Sequence, residues 1–317
     1  MSLSRRRFIT ITAGLAASSA VPAAYAAQPV TWRGVALGAE ARLIIAGLPQ
    51  ADARQLIRRA RDEISRLETI FSLYRSDSEL SRLNSAGVLN SPAPELLSMF
   101  STVSGIHKAT GGLFDPTVQP LWSVYAEQRG VPSDTDIGRA LGHVGWQRVG
   151  YDSASVRFTE PGMQLTLNGI AQGFVTDRIC AVLRAEGLED AMVNIGEISA
   201  LGHQADGQSW PVGLAVHGDD VPEETIHISD MGLATSASSG TVFHDGSAHI
   251  LNPLTGLPVD AVWTRVSVLH PSATIADGLS TAAVMMNENE MRALGQSVPG
   301  IRIIARHRDG QSVVIES

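Results

Sequence analysis

Ile275-Ala-Asp-Gly-Leu-Ser-Thr281 places a carboxylate, Asp277, four residues before a hydroxyl, Thr281. The apolar run that follows, Ala282-Ala-Val-Met-Met286, predicts that this segment belongs to a buried helix. Residues four apart lie on one face of a helix, so both oxygen groups would point at one spot. Hard oxygen ligands of this kind suit Mg²⁺, which completes its shell with water and substrate phosphates. The segment is therefore a candidate magnesium site.

A structural interpretation of the same segment is also open. Thr274-x-x-Asp277 fits a capping box, in which Asp277 would only accept backbone N–H bonds at the start of a helix. Helix caps are common, so this segment alone favours the cap. The two roles can coexist, because one carboxylate oxygen can accept N–H bonds while the other holds a metal.

Composition narrows the classes of function. The chain has 317 residues, of which 44% are hydrophobic and 18% charged, as in an ordinary globular protein. Its net charge of −8 argues against a nucleic acid as partner, since such binding relies on basic surface. Lys108 is the only lysine, so a phosphate site must use metal, arginine or backbone N–H groups. The single cysteine, Cys180, lies in an apolar pattern that predicts core packing.

The N-terminal residues 1–26 are interpreted as a twin-arginine signal peptide. Ser4-Arg5-Arg6-Arg7-Phe8-Ile9 precedes an apolar run that is too short for a membrane span, and Ala24-Tyr25-Ala26 offers a cleavage site. No cysteine follows that run, so no lipid anchor is expected. These features predict a periplasmic protein, residues 27–317, exported by the twin-arginine machinery.

Periodicity and turn signals predict an α+β fold. A hairpin is expected over 30–46, helices over 49–74 and 94–109, and a helix from about Phe174 to Ala185. Most of the remainder is predicted as strand, including 164–167 and 248–251, without regular βαβ alternation. Asp115 before Pro116 predicts a helix N-cap. His249 is either a half-buried strand histidine or a catalytic base, and its own segment leaves both open.

Seven segments, in order along the chain, together resemble the FAD:protein FMN transferases. They are Ser72–Asn84, Gly111-Gly-Leu-Phe-Asp115-Pro-Thr-Val118, Asn168-Gly-Ile-Ala-Gln-Gly173-Phe174, Val193-Asn-Ile-Gly196, Ala234-Thr-Ser236, His249-Ile-Leu-Asn-Pro-Leu-Thr-Gly256 and Ala276-Asp-Gly-Leu-Ser-Thr281. Any one of these segments is weak alone, whereas seven in order are specific.

The resemblance implies a single two-lobed domain of mixed sheets and packed helices with a central cleft for FAD and magnesium. It implies Mg-dependent transfer of FMN from FAD to a Ser or Thr hydroxyl of a target protein, with release of AMP. The target is expected to be a membrane-associated protein of a periplasm-facing electron-transfer system. The implied site comprises His249 as catalytic base, Leu37, Tyr74, Leu113, Phe114, Asp115, Asn168, Phe174 and Leu251 as FAD-binding residues, and Ala171, Asp277, Ser280 and Thr281 at the metal.

The sequence also departs from the family pattern. Gln172 stands where the family usually has lysine, and Gly196-Glu197 stands where it usually has paired glycines. Two other functions remain open on the sequence: a non-catalytic periplasmic FAD-binding carrier, and an FAD pyrophosphatase that releases FMN and AMP.

Overall fold

The computed structural model describes residues 29–215, 221–260 and 262–317. The predicted signal peptide lies outside these ranges. The described residues form thirteen strands: β1 (Val30–Ala36), β2 (Ala39–Ile45), β3 (Val88–Asn90), β4 (Val149–Tyr151), β5 (Ser155–Phe158), β6 (Ala191–Ile195), β7 (Ile198–Leu201), β8 (Trp210–Leu214), β9 (Glu224–Ile228), β10 (Met231–Ser236), β11 (Trp263–His270), β12 (Arg302–His307) and β13 (Ser312–Glu316). They also form eight α-helices: α1 (Gln50–Phe71), α2 (Glu79–Ala86), α3 (Pro94–Ala109), α4 (Gln119–Glu127), α5 (Asp134–Leu141), α6 (Ala171–Ala185), α7 (Ala273–Ala283) and α8 (Glu288–Ser297).

The main layer is an antiparallel sheet of eight strands in the order β1-β2-β6-β7-β10-β11-β12-β13. One face packs on the helices and forms the large hydrophobic core. The other face is covered by the β8–β9 hairpin, whose Trp210, Val212 and Ile226 pack on Ile44, Leu269 and Ile304 of the sheet. A small sheet of order β3-β5-β4 completes the strands described. This mixture confirms the predicted α+β class.

Helix α1 shows why the sequence pattern was informative. Its buried side chains recur every three or four residues, from Ala53 through Leu56, Ala60 and Ile64 to Phe71, so they form one stripe facing the core. The hairpin before it turns at Leu37 and Gly38, which both have positive φ, as a two-residue hairpin turn requires. Both elements agree with the sequence prediction.

Helix α7 is packed unusually closely on three sides, and a glycine lies at each contact. A Cβ atom on Gly173 of α6 would lie 2.3 Å from the carbonyl oxygen of Ala273. On Gly232 of β10 it would lie 2.6 Å from the Ala273 backbone, and on Gly278 it would lie 2.7 Å from Ile106 of α3. Because glycine has no side chain, α7 can lie in direct contact with α6, the sheet and α3.

Three sequence predictions about elements are wrong. Residues 164–167 are not a strand, because both backbone groups of Leu165 bond to the amide of Asn84, at 2.7 and 2.8 Å. Residues 248–251 form only isolated bridges, including Leu251 with Pro258, since prolines limit the available N–H groups. Helix α7 begins at Ala273, with Ser272 as its N-cap, so Thr274 is not a cap.

No described helix is long and apolar enough to cross a membrane.

Candidate active site

A cavity of about 340 Å³ opens on the helical side of the sheet, and we call it the cleft. The loops after α1 and α3, the N-terminal turn of α6, the end of β10 and helix α7 all contribute to its wall. The structure brings most of the sequence-predicted site residues together here: Tyr74, Leu113, Phe114, Asp115, Asn168, His249, Leu251, Asp277 and Thr281. These residues come from five distant segments, so their convergence supports one site.

Four of the predicted residues lie elsewhere. Leu37 and Ala171 line a much smaller cavity, which shares Tyr74 and Asn168 with the cleft. The ring of Phe174 packs edge-on against Phe71, with centroids 5.1 Å apart. The Ser280 hydroxyl is buried against Ser236 of β10, with 2.9 Å between the two Oγ atoms. The side chain of Phe174 thus packs on α1, and the Ser280 hydroxyl bonds to β10. The predicted metal contact of Ser280 is through its backbone carbonyl and stays a prediction.

Asp277 and Thr281 lie on the cleft face of α7, one turn apart, as their spacing predicted. Asp277 is only 4% exposed, and its Oδ2 accepts a 3.0 Å hydrogen bond from the backbone N–H of Gly173. Thr281 Oγ1 lies 3.4 Å from the carbonyl oxygen of Gly169. A carboxylate, a hydroxyl and a backbone carbonyl thus meet at the N-terminal turn of α6.

The capping interpretation was right about the chemistry and wrong about the helix. Asp277 lies in the second turn of α7 and caps α6, whose third residue is Gly173. In return, Asp177 of α6 caps α7: its Oδ1 accepts from Ala273 N at 2.8 Å, and its Oδ2 accepts from Thr274 N at 3.0 Å. We call this arrangement the crossed caps.

The charge of the cleft is unusual for a phosphate site. Asp115, Glu197 and Asp277 are carboxylates, and the described lining residues include no lysine or arginine. An anionic ligand would therefore meet only acidic and neutral side chains, unless a cation is bound with it. The oxygen donors around Asp277 and Thr281 are of the type that Mg²⁺ prefers, so the residues present fit this metal. The described residues contain no group of three or more His, Cys, Asp or Glu side chains that could hold a metal, so hydroxyl and carbonyl oxygens would have to supply the other ligands.

The rest of the cleft wall is apolar and aromatic. Leu113, Phe114, Trp122 and Leu251 line it, and Tyr74 stands at its mouth with 74% of its surface exposed. The loop that carries Tyr74 is held by Ser72, whose Oγ accepts from Tyr74 N at 3.2 Å. A flat aromatic ligand could lie against such a surface.

His249 is held in one orientation in the cleft wall. Its Nδ1 lies 2.7 Å from the carbonyl oxygen of Thr241, which can only accept a hydrogen bond. Nδ1 of the neutral ring therefore carries the proton, and Nε2 is the basic nitrogen. Residue 249 lies in no described strand, and its role as a catalytic base stays a prediction.

Asp115 has a structural role in addition to its place in the wall. Its Oδ1 accepts from Thr117 N at 2.8 Å, which confirms the predicted cap, and its Oδ2 accepts from Trp146 N at 2.9 Å. Its carboxylate thereby joins the loop after α3 to the segment before β4. The ring of His107 lies beside it, with Nδ1 3.8 Å from Oδ2.

Sequence reasoning missed two carboxylates near the site. Glu197 is 6% exposed, lines the cleft and accepts from Thr235 N at 3.3 Å. Its only sequence signal was its place directly after the Val193–Gly196 segment. Asp177 gave no signal, because nothing local shows that it caps a helix nearly a hundred residues further on.

The fold and the cleft together define a flavin transferase, as comparison with solved structures shows. The chain superposes on the flavin transferase ApbE of Vibrio cholerae with a TM-score of 0.80 at 26% identity, covering 92% of this chain and 98% of that one. The ApbE protein of Thermotoga maritima gives a TM-score of 0.81 at 27% identity, covering 91% and 97%. In sequence, the chain is 30% identical over 248 residues to the FAD:protein FMN transferase of Vibrio cholerae, which is 74% of each protein.

The chain belongs to the ApbE family, whose model matches residues 37–305. The resemblance drawn from the seven sequence segments is therefore confirmed. The matched range includes the whole of the cleft described above.

Proposed function

We propose that this protein transfers FMN from FAD to a Ser or Thr hydroxyl of a target protein and releases AMP, in a reaction that requires Mg²⁺. The observation that carries the proposal is the composition of the cleft. A cluster of hard oxygen donors adjoins an aromatic and apolar wall, and a fixed histidine lies in that wall. Membership of the ApbE family supports FAD as the substrate.

The reaction requires one bond to form and one to break. The acceptor hydroxyl oxygen attacks the phosphorus on the flavin side of the pyrophosphate, and the anhydride P–O bond breaks so that AMP leaves. Nε2 of His249 takes the proton of the attacking hydroxyl, because Nδ1 is already committed to Thr241. Phosphoryl transfer of this kind depends mainly on positioning and on charge stabilisation.

Asp277, Thr281 and the carbonyl of Ala171 would hold the metal, with Ser280 contributing through its backbone. When bound, Mg²⁺ supplies the positive charge that offsets the pyrophosphate in a cleft whose described charged residues are acidic. The N-terminal end of α6 lies at the same point, where the helix dipole also favours negative charge.

The remaining residues would bind the flavin half of FAD. Tyr74, Leu113, Phe114 and Leu251 offer the aromatic and apolar surface for the isoalloxazine ring. Leu37, Asn168 and Phe174 lie at or behind the adjoining turn and shape it. Asp115 joins the loop that carries Leu113 and Phe114 to the segment before β4 through its bond to Trp146.

The acceptor is proposed to be a membrane-associated protein of a periplasm-facing electron-transfer system. The leader pattern at Ser4–Ala26 supports export by the twin-arginine machinery and a periplasmic location. The exposed position of Tyr74 leaves the mouth of the cleft open to a large partner.

The decisive experiment incubates the protein with FAD, MgCl₂ and a periplasmic or membrane protein fraction. We expect a fluorescent flavin band that survives denaturing electrophoresis, together with one AMP per flavin attached. Asp277→Asn, which keeps an oxygen for the Gly173 N–H, should lose the metal-dependent transfer. His249→Gln should bind FAD and slow the transfer, since Gln offers no basic nitrogen.

Two outcomes would contradict the proposal. FAD that stays intact with every acceptor fraction would indicate a carrier. AMP released together with free FMN, and no labelled band, would indicate a pyrophosphatase.

A further inference from the structure

Helices α6 and α7 carry the two halves of the candidate metal site. Asp277 and Thr281 belong to α7, Ala171 is the first residue of α6, and Gly169 lies in the turn just before it. The relative position of the two helices therefore decides whether the oxygen donors meet. A shift of α7 by one residue would turn Asp277 about 100° away from that turn.

Asp177 is the main polar anchor of α7 on α6. Besides the N–H groups of Ala273 and Thr274, its Oδ2 accepts from the hydroxyls of Ser272 and Thr274, both at 2.6 Å. Four donors from three consecutive residues thus converge on one carboxylate. Such a set fixes both the depth and the rotation of the helix start.

The anchor and the site lie on the same side of α7. Ala273, Asp277 and Thr281 are spaced by four residues, so they face α6 along successive turns. Gly173 leaves no space between the backbones of α6 and α7, so the two helices are in direct contact beside the site. A change in the position of α7 at Asp177 would therefore also move Asp277 and Thr281. Asp177 does not line the cleft, and it acts through α7.

We propose that Asp177 is a positioning residue for the metal site, one that sets the affinity for the divalent cation by holding α7 against α6. This inference rests on the metal site of the proposed function. Groups that orient metal ligands from outside typically change metal affinity by about 10- to 100-fold when they are altered.

The test is a titration of Mg²⁺ into the protein with FAD, followed by flavin fluorescence, and of Mn²⁺ without flavin, followed by electron paramagnetic resonance. Asp177→Asn keeps the shape but puts an amide N–H₂ among four donors, so we expect about tenfold weaker binding of either cation. Thr274→Val removes one of the four bonds and should weaken binding less, in the same direction.

Asn287→Ala is the matched control. Asn287 caps α8 in a capping box, with its Oδ1 3.0 Å from Glu290 N, and it lies outside the cleft lining. This variant should lower the thermal unfolding midpoint, as we also expect for Asp177→Asn, and should leave the metal titration unchanged.

The inference is overturned if Asp177→Asn binds both cations within twofold of the wild type while its unfolding midpoint falls. Should that variant fail to fold, a wild-type titration curve for a destabilised Thr274→Val overturns it equally. A wild-type protein that binds neither cation removes the metal site itself and hence the proposed function as well.

Discussion

Single carboxylates hold this site together by bonding to backbone groups of distant segments. Asp277 bonds to Gly173, Asp177 bonds to Ala273, and Asp115 bonds to Trp146. Each carboxylate accepts hydrogen bonds from N–H groups at the start of a helix or turn. In each case that helix or turn is not the segment that carries the carboxylate. At the scale of the residue, the site thus depends on acceptors that one element supplies to another.

Asp115→Asn should destabilise the protein by about 1–3 kcal/mol, because its two oxygens accept from different donors. The amide of asparagine has only one oxygen, so it can accept from only one of these two N–H donors. Its N–H₂ group would face the other N–H, and neither could accept a hydrogen bond. Urea unfolding measures the change. The matched variant is Asp152→Asn, where one oxygen, Oδ1, accepts from both Ala154 N and Ser155 N. That variant should unfold at nearly the wild-type urea concentration, and an equal loss in both would contradict this role of Asp115.

Cys180 should be unreactive in the folded protein. Burial raises the pKa of its thiol from 9.0 to about 12. The thiolate, which is the reactive form, is therefore scarce at neutral pH. Iodoacetamide at neutral pH should label Cys180 only after denaturation, as mass spectrometry would show. Rapid labelling of the native protein would contradict its placement in the core.

The same shift in the pKa of Cys180 makes stability depend on pH. Below about pH 9 the thiol is protonated in both the folded and the unfolded state, and the stabilisation is fully present. Between about pH 9 and 12 only the unfolded chain releases the proton, so unfolding becomes easier by about 1.4 kcal/mol per pH unit. Comparing Cys180→Ala with the wild type by urea unfolding across this range isolates the effect, since the variant lacks this contribution.

At the scale of the element, the sequence predicted those segments whose pattern repeats. Helices α1 and α3 and the first hairpin follow from apolar spacing and turn residues within the segment itself.

The predictions of secondary structure that were wrong share a cause. Residues 164–167 look like a strand, but both backbone groups of Leu165 bond to the amide of Asn84, eighty-one residues earlier, and Thr166 N bonds to the carbonyl of Pro116. Helix α7 starts earlier than predicted, after its N-cap Ser272, and the N–H groups of its first two residues bond to Asp177 of another helix. Local pattern carries no information about such partners.

Gly173→Ala should disrupt the packing of α6 on α7. The new methyl group would lie 2.3 Å from a backbone oxygen of Ala273, which cannot rotate away. We expect a loss of about 1–3 kcal/mol or more in urea unfolding, together with weaker metal binding. Gly105→Ala in α3 is the control, because nothing lies within 4 Å of its new Cβ. It should be neutral or stabilising by up to about 1 kcal/mol. Equal effects of the two variants would refute the role of close packing.

At the scale of the whole molecule, the family was predictable from seven ordered segments, and most of the site residues that the resemblance implied line the cleft. The structure added what such segments do not contain: the convergence of the cleft, the buried Glu197 and the crossed caps. It also showed that the described lining residues carry acidic and no basic side chains apart from His249. This acidic lining should couple the binding of FAD to the binding of Mg²⁺.

FAD and Mg²⁺ should bind in a strongly coupled manner. Without the cation, the pyrophosphate faces carboxylates, so EDTA should weaken FAD binding by about tenfold or more in equilibrium dialysis. By linkage, FAD should tighten Mg²⁺ binding by the same factor. Riboflavin is the control ligand, because it has the same ring system and no phosphate, and its affinity should not respond to EDTA. FAD that binds equally well in EDTA would contradict the coupling.

The crossed caps also affect the chain while it is being made. The Gly173–Asp277 bond spans 104 residues, so the ribosome must translate far beyond α6 before the site can close. A product that stops before residue 273 would retain α6 and every described strand up to β11, but it would lack both Asp277 and Thr281. Tight flavin binding in a cell extract would therefore distinguish chains translated beyond Thr281 from shorter products that still contain α6.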